Sequence, residues 1–333
     1  MISNRLICDP KNSFQEKNPI LMDRYFNKFW SEKLYRRALQ AFGSRLFRDS
    51  DRDPGKSILV AGAARSGTTW LAELISTQIP CRLMFEPFNT DLVCEYREFK
   101  YFQYMRPGEH NETLYAFAQK VFNGEIRNHW IDRKNENLLP RFRLIKEIRA
   151  NLLLKWLHDN FPGIPFLFII RHPCAVVLSR MELGWATDRD IESFLTQQYL
   201  IDDHLSDHME LIRSSKSDEE KHAIIWCVSN LIPLKQFPPD DLRIIFYENL
   251  CLQPDEEFSK ILQRIQQKDK PLTAIRADKP STTSKISSAV VTGQDKISRW
   301  SNCLTTRQIT KILNVVSEFG LSFLYDESLI PNR

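Results

Sequence analysis

The stretch SILVAGAARSGTTWLAELI, which runs from Ser57 to Ile75, decides the fold. An apolar run typical of a buried strand, SILVA, is followed by a short turn and then by a helical pattern. Gly62 and Gly67 have the spacing of the two glycines in a phosphate-binding P-loop, but the next position is Thr68, where that motif has lysine. The sequence therefore predicts an anion-binding loop without the lysine that contacts the outer phosphates of a nucleoside triphosphate.

The composition is that of an ordinary globular protein. The chain has 333 residues, of which 42% are hydrophobic and 26% are charged, so it can bury a full core. Its net charge of +4, from 46 basic and 42 acidic residues, is too small to indicate a nucleic-acid partner. Seven scattered cysteines without a Cys-x-x-Cys pair predict free thiols in a reducing compartment. Because neither a secretory signal nor a membrane-length apolar run is visible, we expect a cytoplasmic protein.

Short apolar runs alternate with helical patterns along most of the chain. The predicted strands are Ser57–Ala61, Arg82–Phe85, Phe142–Ile148, Pro165–Ile170 and Leu242–Tyr247. The predicted helices between them are Thr68–Gln78, Ala150–Asn160, Cys174–Glu182, Ile191–Ser214 and Asp218–Gln236. This alternation predicts an α/β fold, a P-loop-NTPase-like parallel sheet flanked by helices on both faces. Ligands of such sheets bind at the carboxyl ends of the strands, where the predicted loop lies.

Residues 57–333 are expected to form one domain, preceded by an N-terminal helical extension over residues 1–56. Two segments of the chain, residues 22–48 and 278–301, do not follow the alternation of strands and helices. In that extension, residues 22–48 carry a basic, aromatic pattern at helical spacing. Such a helix usually packs on its own domain, and the alternative is a peripheral contact with a membrane surface. Residues 278–301 are polar and predict a loop or lid before a final helix over residues 305–319.

The predicted loop has the donors that an anion requires. Backbone N–H groups from Ala64 to Thr69 would surround the anion at the positive end of the following helix. Ser66, Thr68 and Thr69 add hydroxyl groups, and Gly67 permits a close approach of the backbone. The combination predicts a phosphate-type site rather than an ordinary turn between a strand and a helix.

No metal-binding motif accompanies the loop. The strand FLFII, residues 166–170, ends in Arg-His-Pro rather than in an acidic residue that could help to hold magnesium. His204 and His208 lie four residues apart, but without a His-Glu-x-x-His motif a solvated polar face is the favoured interpretation. We therefore expect a donor substrate that reacts without a metal.

Three segments, two of them candidate phosphate-binding motifs, together resemble those of a known family. The segment RSGTTW, from Arg65 to Trp70, is similar to the 5′-phosphosulfate loop of sulfotransferases that use 3′-phosphoadenosine 5′-phosphosulfate (PAPS). The segment FLFIIRHPCAVVLSRMELGW resembles the 3′-phosphate element of the same family, which implies that Arg171 and Ser179 bind the 3′-phosphate. RIIFYENL is similar to the family's late strand and turn, with asparagine where aspartate is usual. The resemblance covers residues 57–255 and implies PAPS as co-substrate.

Some residues of this resemblance have a second interpretation. Trp70 offers a face on which adenine could stack, or it packs in the core. Arg171 offers planar donors to a phosphate, or it forms a salt bridge at the end of its strand. The family's closing Arg-Lys-Gly segment is absent. The late-loop residues that could cap the nucleotide in its place are Lys285, Lys296, Arg299 and Trp300.

Three residues are candidates for the chemistry. Arg65 is expected to stabilise the charge that develops on the oxygen between sulfur and the 5′-phosphate. Glu86 ends a predicted strand at the same edge, and its Phe-Glu-Pro setting resembles carbohydrate-modifying sulfotransferases. It is a candidate base for the acceptor hydroxyl, with a structural ion pair as the alternative. Lys146 is a second candidate cation, or else a solvent-facing lysine, and its neighbour Glu147 must point to the other side of the strand.

The sequence thus predicts an enzyme that transfers a sulfuryl group from PAPS to an acceptor hydroxyl. A carbohydrate, a glycolipid or another hydroxylated metabolite is the expected acceptor, and no nucleic acid is involved. An ATP-dependent kinase with an altered P-loop and a nucleotide-binding module without catalysis are the alternatives. The oligomeric state is left open.

Overall fold

A parallel sheet forms the centre of the protein in a computed structural model that describes residues 51–135, 140–238, 241–265 and 296–332. Its five strands are β1 (Ser57–Ala61), β2 (Cys81–Phe85), β3 (Phe142–Glu147), β4 (Phe166–Ile170) and β5 (Arg243–Phe246). They are ordered β2-β3-β1-β4-β5, and every neighbouring pair is parallel. The predicted α/β fold is therefore confirmed.

The register of the sheet brings the carboxyl ends of the strands to one edge. Ala61, the last residue of β1, pairs with Glu147 at the end of β3. On the other side Ala61 pairs with Phe168 of β4, two residues before that strand ends. Phe85, the last residue of β2, pairs with Lys146 of β3. The loops that follow these strands consequently open at the same edge, which is where a ligand of such a sheet binds.

Helices cover the sheet. Before β4 lie α1 (Thr68–Gln78), α2 (Glu112–Phe122) and α3 (Leu154–Asn160). Between β4 and β5 lie α4 (Pro173–Glu182), α5 (Asp188–Leu195), α6 (Gln198–Leu200), α7 (Met209–Ser214) and α8 (Asp218–Gln236). After β5 follow α9 (Tyr247–Leu252), α10 (Pro254–Arg264), α11 (Arg299–Cys303) and α12 (Thr306–Glu318).

The described residues form two apolar core clusters, to which successive residues of β1 contribute in turn. Leu59 and Ala61 belong to the cluster that includes α2, α4, α8 and α12. Ile58 and Val60 belong to the cluster that includes α1 and α10. Because side chains alternate across a strand, the two clusters lie on opposite faces of the sheet. Both faces of β1 are buried, which explains its continuous apolar sequence.

The predicted helix over Ile191–Ser214 was wrong as a single element. The structure divides it into α5, α6, a π-helical turn over Ile201–Leu205, a 3₁₀ turn and α7. Gln197, between α5 and α6, has an extended backbone conformation, and its side chain bonds to the backbone of Phe102 and Tyr104. A contact to a distant segment therefore interrupts a sequence whose local pattern favours a helix.

Several predictions lie outside the described residues. They concern the amphipathic helix over residues 22–48, most of the loop over residues 278–301, and Lys285 within it. In the described ranges, no helix combines the length and the apolarity that a membrane crossing requires.

Candidate active site

The loop after β1 is shaped by two glycines that have no room for a side chain. A Cβ on Gly62 would lie 2.4 Å from the carbonyl oxygen of Ile169 in β4. Gly67 has a φ of +99°, and a Cβ there would lie 2.6 Å from a ring carbon of Tyr247. Since both clashes involve atoms of neighbouring elements, each glycine is required for the loop to lie against the sheet.

The loop also provides donors for an anion. Ser66 is fully buried, and its Oγ has no hydrogen-bond partner among the described residues. Thr68 and Thr69 are buried in the first turn of α1, where the helix has its positive end. A buried hydroxyl without a partner is costly unless a ligand or water satisfies it. The loop therefore fits an anionic ligand.

Arg65 links this loop to the element after β4. Its backbone lies in the left-handed region with a φ of +76°, and its Nε donates a hydrogen bond of 3.0 Å to Oγ of Ser179 in α4. Arg171, the first residue after β4, donates from Nη1 to the backbone carbonyl of Arg65 over 3.4 Å. The three predicted donor-binding residues are thus brought together: Arg65 from the loop after β1, Arg171 from the loop after β4, and Ser179 from α4.

The charges at this junction favour an anion. Burial and the nearby charges of Arg171 and Arg180 lower the pKa of Arg65. Arg180 is compensated by Asp190, whose Oδ2 lies 2.6 Å from its Nη2. Within the described part of the chain, neither Arg65 nor Arg171 forms an ion pair with a carboxylate. An anion bound between them would relieve their mutual repulsion.

Arg171 does not form the strand-end salt bridge that was its alternative within the described residues. Its Nη1 and Nη2 donate to the backbone carbonyls of Arg65 and Lys296, the latter over 3.0 Å. The guanidinium carbon lies 4.2 Å from the ring centroid of Tyr247, and Nε is buried and has no hydrogen-bond partner in the part of the chain that the structure describes. The side chain is held in place by neutral groups and keeps its charge for a ligand.

Trp70 and Tyr247 form the aromatic part of the site. Their ring centroids are 5.2 Å apart, and Trp70 is only 7% exposed. This environment agrees with core packing for Trp70. Tyr247 was missed from the sequence, although it directly follows a strand. It contacts both the loop glycine Gly67 and Arg171.

Glu86 lies in a buried ion pair with two cations. Lys146 Nζ is 2.5 Å from its Oε1, and Arg149 Nη1 is 2.7 Å from its Oε2. Although burial acts to raise the pKa of Glu86, Lys146 and Arg149 hold it below its ordinary value. Glu86 is therefore a carboxylate at neutral pH. Lys146 is 3% exposed, so it is not the solvent-facing lysine that the sequence left as an alternative.

Glu147 points away from this pair and binds backbone groups. Its Oε1 accepts from the N–H of Phe88, and its Oε2 accepts from the N–H groups of Ile148 and Arg149, each over 3.1 Å. Burial first, and the nearby Glu86 second, raise the pKa of Glu147 to about 7. The side chain ties together the loops after β2 and β3, which carry Glu86 and Arg149.

The described end of the late loop packs on the loop after β4. The ring of Trp300 stacks on His172 with centroids 4.1 Å apart. Arg299 Nη2 lies 2.6 Å from Oε1 of Glu182 at the end of α4. Lys296 bonds Arg171 through its carbonyl, as described above, and its Nζ lies 5.9 Å from the ring centroid of Trp70. Of the late-loop candidates in the described residues, Lys296 contacts Arg171 and Trp70, whereas Arg299 and Trp300 contact α4 and the loop after β4.

The two histidines that could have suggested a metal lie in other surroundings. His204 Nε2 is 3.1 Å from the hydroxyl of Tyr104, and the His208 ring stacks on Phe319 at 4.1 Å. Across the described ranges, no group of three or more His, Cys, Asp or Glu side chains is arranged to hold a metal ion.

Comparisons with known proteins identify the family of the chain. The model of a family described as the sulfotransferase family matches residues 57–270. Among solved structures, the chain is similar to the sulfotransferase domain from the curacin biosynthetic pathway. The identity is 14%, the match covers 82% of this chain and 98% of that one, and the TM-score is 0.41.

A second similar structure is the sulfotransferase domain from the Synechococcus PCC 7002 olefin synthase. The identity is 15%, the match covers 82% of this chain and 96% of that one, and the TM-score is 0.41. No curated protein matches the sequence significantly. The family match extends from β1 through α10 and contains the loop after β1, Glu86, Lys146, Arg171 and Ser179. The chain belongs to the sulfotransferase family.

Proposed function

We propose that this protein transfers a sulfuryl group from PAPS to the hydroxyl of an acceptor. The observation that carries the proposal is the junction of Arg65, Ser179 and Arg171. It joins a P-loop-like anion site to a second cluster of donors, and PAPS has two separate anionic groups for them to bind. A nucleoside triphosphate has one continuous chain of phosphates and no group for the second cluster.

Different residues would bind the two anionic groups of PAPS. The loop from Ser66 to Thr69 would bind the 5′-phosphosulfate at the positive end of α1. Arg171 and Ser179 would bind the 3′-phosphate, for which a planar guanidinium and a hydroxyl are suitable donors. Arg65, which contacts both Ser179 and Arg171, would interact with both groups.

The chemistry requires one bond to form and one to break at sulfur. The acceptor oxygen forms a bond to sulfur, and the bond from sulfur to the bridging oxygen of the 5′-phosphate breaks. The electron pair of that bond stays on the phosphate, where Arg65 would stabilise the added charge. Arginine keeps its proton at any working pH, so its role is electrostatic.

Glu86 is the proposed acceptor of the hydroxyl proton. Both of its oxygens are engaged by cations, and each keeps a second lone pair for an acceptor hydroxyl. The ion pairs fix its orientation and weaken it as a base. Lys146 would hold the carboxylate in place and add positive charge near the transferred group.

The proposed acceptor is a carbohydrate, a glycolipid or another hydroxylated metabolite. Support comes from the Phe-Glu-Pro sequence around Glu86, which resembles that of the carbohydrate-modifying members of the family.

Transfer of radioactive sulfate tests this function. The purified protein is incubated with ³⁵S-labelled PAPS and a cell extract that supplies acceptors, in the presence of a chelator. We expect labelled products that need the protein, and Arg65→Ala should remove them. Arg264→Gln, at an exposed arginine on α10, is the matched control. If the protein binds adenosine 3′,5′-bisphosphate (PAP) and yet labels nothing, it is a binding module instead.

A further inference from the structure

A chain of contacts leads from Glu86 to the surface of the protein. Arg149 binds Glu86 over 2.7 Å, and its guanidinium carbon lies 4.8 Å from the ring centroid of Tyr101. The guanidinium carbon of Arg189 lies 4.2 Å from the same centroid. Side-chain exposure rises from 6% at Glu86 through 15% at Arg149 to 55% at Arg189. We call Arg149, Tyr101 and Arg189 the cationic ladder.

The ladder is held rigidly from the side of α5. Ser193 Oγ accepts a hydrogen bond of 3.1 Å from the N–H of Phe102, the residue after Tyr101. Gln197 donates to the carbonyl of Phe102 over 2.7 Å and accepts from the N–H of Tyr104 over 2.8 Å. Ser193 and Gln197 are both buried. The segment that carries the ring is therefore positioned before any ligand binds.

The ladder has an unused donor. The Nε of Arg149 is buried and has no hydrogen-bond partner among the described residues, while its Nη1 binds Glu86. A guanidinium has five N–H donors, so a buried one without an acceptor is costly until a ligand supplies an oxygen. Arg189 binds both oxygens of Asp91, over 2.6 and 2.7 Å, and remains half exposed.

Cations outnumber carboxylates in the ion pairs of the ladder. Lys146 and Arg149 both bind Glu86, and Arg189 binds Asp91, so three cations share two carboxylates. The nearby Glu147 is only partly ionised at neutral pH, because burial raises its pKa to about 7. An anionic ligand would gain from this excess of positive charge.

We propose that the cationic ladder binds an anionic group on the acceptor, a carboxylate, phosphate or sulfate, while an acceptor hydroxyl reaches Glu86. This inference rests on the proposed function, because it concerns the acceptor of the same transfer. It narrows the acceptor from any hydroxylated metabolite to one that already carries a negative charge.

Fractionated acceptors test the inference. The extract is separated by anion exchange at neutral pH into a neutral and an anionic fraction, and each is incubated with ³⁵S-labelled PAPS. We expect label only in products from the anionic fraction. Phosphatase treatment, amidation of carboxylates and chemical desulfation of that fraction then show which anion is needed. Labelled products from the neutral fraction, with or without label from the anionic fraction, would overturn the inference.

Variants of the cationic ladder test the same inference by substitution. Arg189→Gln should lower kcat/KM for the anionic fraction about tenfold, as expected for the loss of one charge-assisted contact. It should also reduce the sensitivity of kcat/KM to salt. Arg264→Gln should behave like the unaltered protein. Tyr101→Leu, which removes the ring and no charge, should also lower kcat/KM.

The affinity for PAP separates the possible failures. Both ladder variants should bind PAP as tightly as the unaltered protein, which shows that they are folded. An Arg189→Gln variant that folds and retains full kcat/KM contradicts the ladder and leaves the proposed function standing. Absence of transfer from both fractions contradicts the proposed function, and the inference fails with it.

Discussion

Arg65 is the residue at which the two halves of the site meet. Its Nε is engaged by Ser179 across a sequence separation of 114 residues, and its carbonyl accepts from Arg171. A P-loop lysine would extend from the first turn of the helix toward an outer phosphate. Here the cation comes from inside the loop, and Thr68 occupies the lysine position. The position of the charge therefore suits a leaving group at the 5′-phosphate.

Substitution of Glu86 distinguishes a base from a structural ion pair. If Glu86 accepts the proton, Glu86→Gln should lower kcat by a factor of about 10² to 10⁴. The variant also leaves Lys146 and Arg149 uncompensated, so the free energy of unfolding should fall. Transfer assays and urea denaturation measure the two effects separately. A kcat that falls less than about tenfold, after correction for the folded fraction, would assign Glu86 to structure alone.

Glu147 should make stability depend on pH. Its pKa is raised from 4.5 to about 7 in the folded protein, so the native state binds more protons than the unfolded state between these values. The free energy of unfolding should therefore decrease as pH rises from 4.5 to 7, by up to about 1.4 kcal/mol per pH unit from this group.

Glu147→Gln isolates that contribution. Urea denaturation across this pH range should show a smaller decrease for the variant than for the unaltered protein. The comparison is needed because the pKa of His172, which burial lowers to about 4, gives the opposite slope below its ordinary value of 6.5. Identical pH profiles for the two proteins would show that Glu147 does not titrate there.

At the scale of elements, the sequence predicts best where the pattern is local. The bounds of β1, α1 and α8 agree with the prediction, because an apolar run or a helical repeat of buried residues defines each of them. The same holds for the loop between β1 and α1, where spacing and residue type indicate an anion site.

Elements and partners that depend on distant contacts could not be predicted. The helix expected over Ile191–Ser214 is interrupted at Gln197, whose side chain bonds to a segment more than ninety residues away. Arg149 belongs to the site because the register of β2 and β3 brings it beside Glu86. Neither contact has a signal in the local sequence, since the residues themselves are common surface types.

Gly67 provides a test of the loop as an element. Gly67→Ala places a Cβ 2.6 Å from Tyr247 at a φ of +99°. Gly163 is a matched control, because its φ is +86° and a Cβ there would meet nothing within 4 Å. Gly163→Ala should lower the free energy of unfolding by about 1–2 kcal/mol, because only the left-handed backbone disfavours alanine there. Gly67→Ala should lower the free energy of unfolding by more than this, because its Cβ also clashes with Tyr247, and it should weaken PAP binding. Urea denaturation measures the stability of each variant, and calorimetry measures its affinity for PAP. Equal stability and equal affinity of the two variants would contradict the proposed anion-binding loop.

At the scale of the whole molecule, buried arginines hold the surrounding loops to the sheet. Arg82 of β2 binds both oxygens of Asp132 and the carbonyls of Gly124 and Ile126. Its side chain is fully buried, and that of Asp132 is 3% exposed. On the neighbouring strand Arg143 is also fully buried and binds Oγ of Ser57 over 2.9 Å. These contacts are remote from the carboxyl ends of the strands and serve the fold.

Asp132→Asn should therefore reduce stability without changing the chemistry. Removal of one partner from a buried ion pair leaves an uncompensated charge, and the expected loss is about 3–5 kcal/mol. Glu256→Gln, in the exposed pair with Lys260, is the control and should leave the urea midpoint almost unchanged. The folded Asp132→Asn protein should keep its affinity for PAP. If the free energy of unfolding falls as little as in the control, Asp132 contributes little to stability.

The central claim, a site for two separate phosphates, is tested most directly by calorimetric titration with PAP, AMP and ATP with magnesium. PAP and AMP differ only in the 3′-phosphate. Two charge-assisted contacts to it should make PAP bind about 100-fold more tightly than AMP. The combined change of Arg171→Gln and Ser179→Ala should remove most of that difference and should lower the affinity for AMP much less, because Arg65, which both residues contact, stays in the loop. ATP with magnesium should bind more weakly than PAP. Binding of ATP as tight as that of PAP, or equal binding of PAP and AMP, would contradict the account.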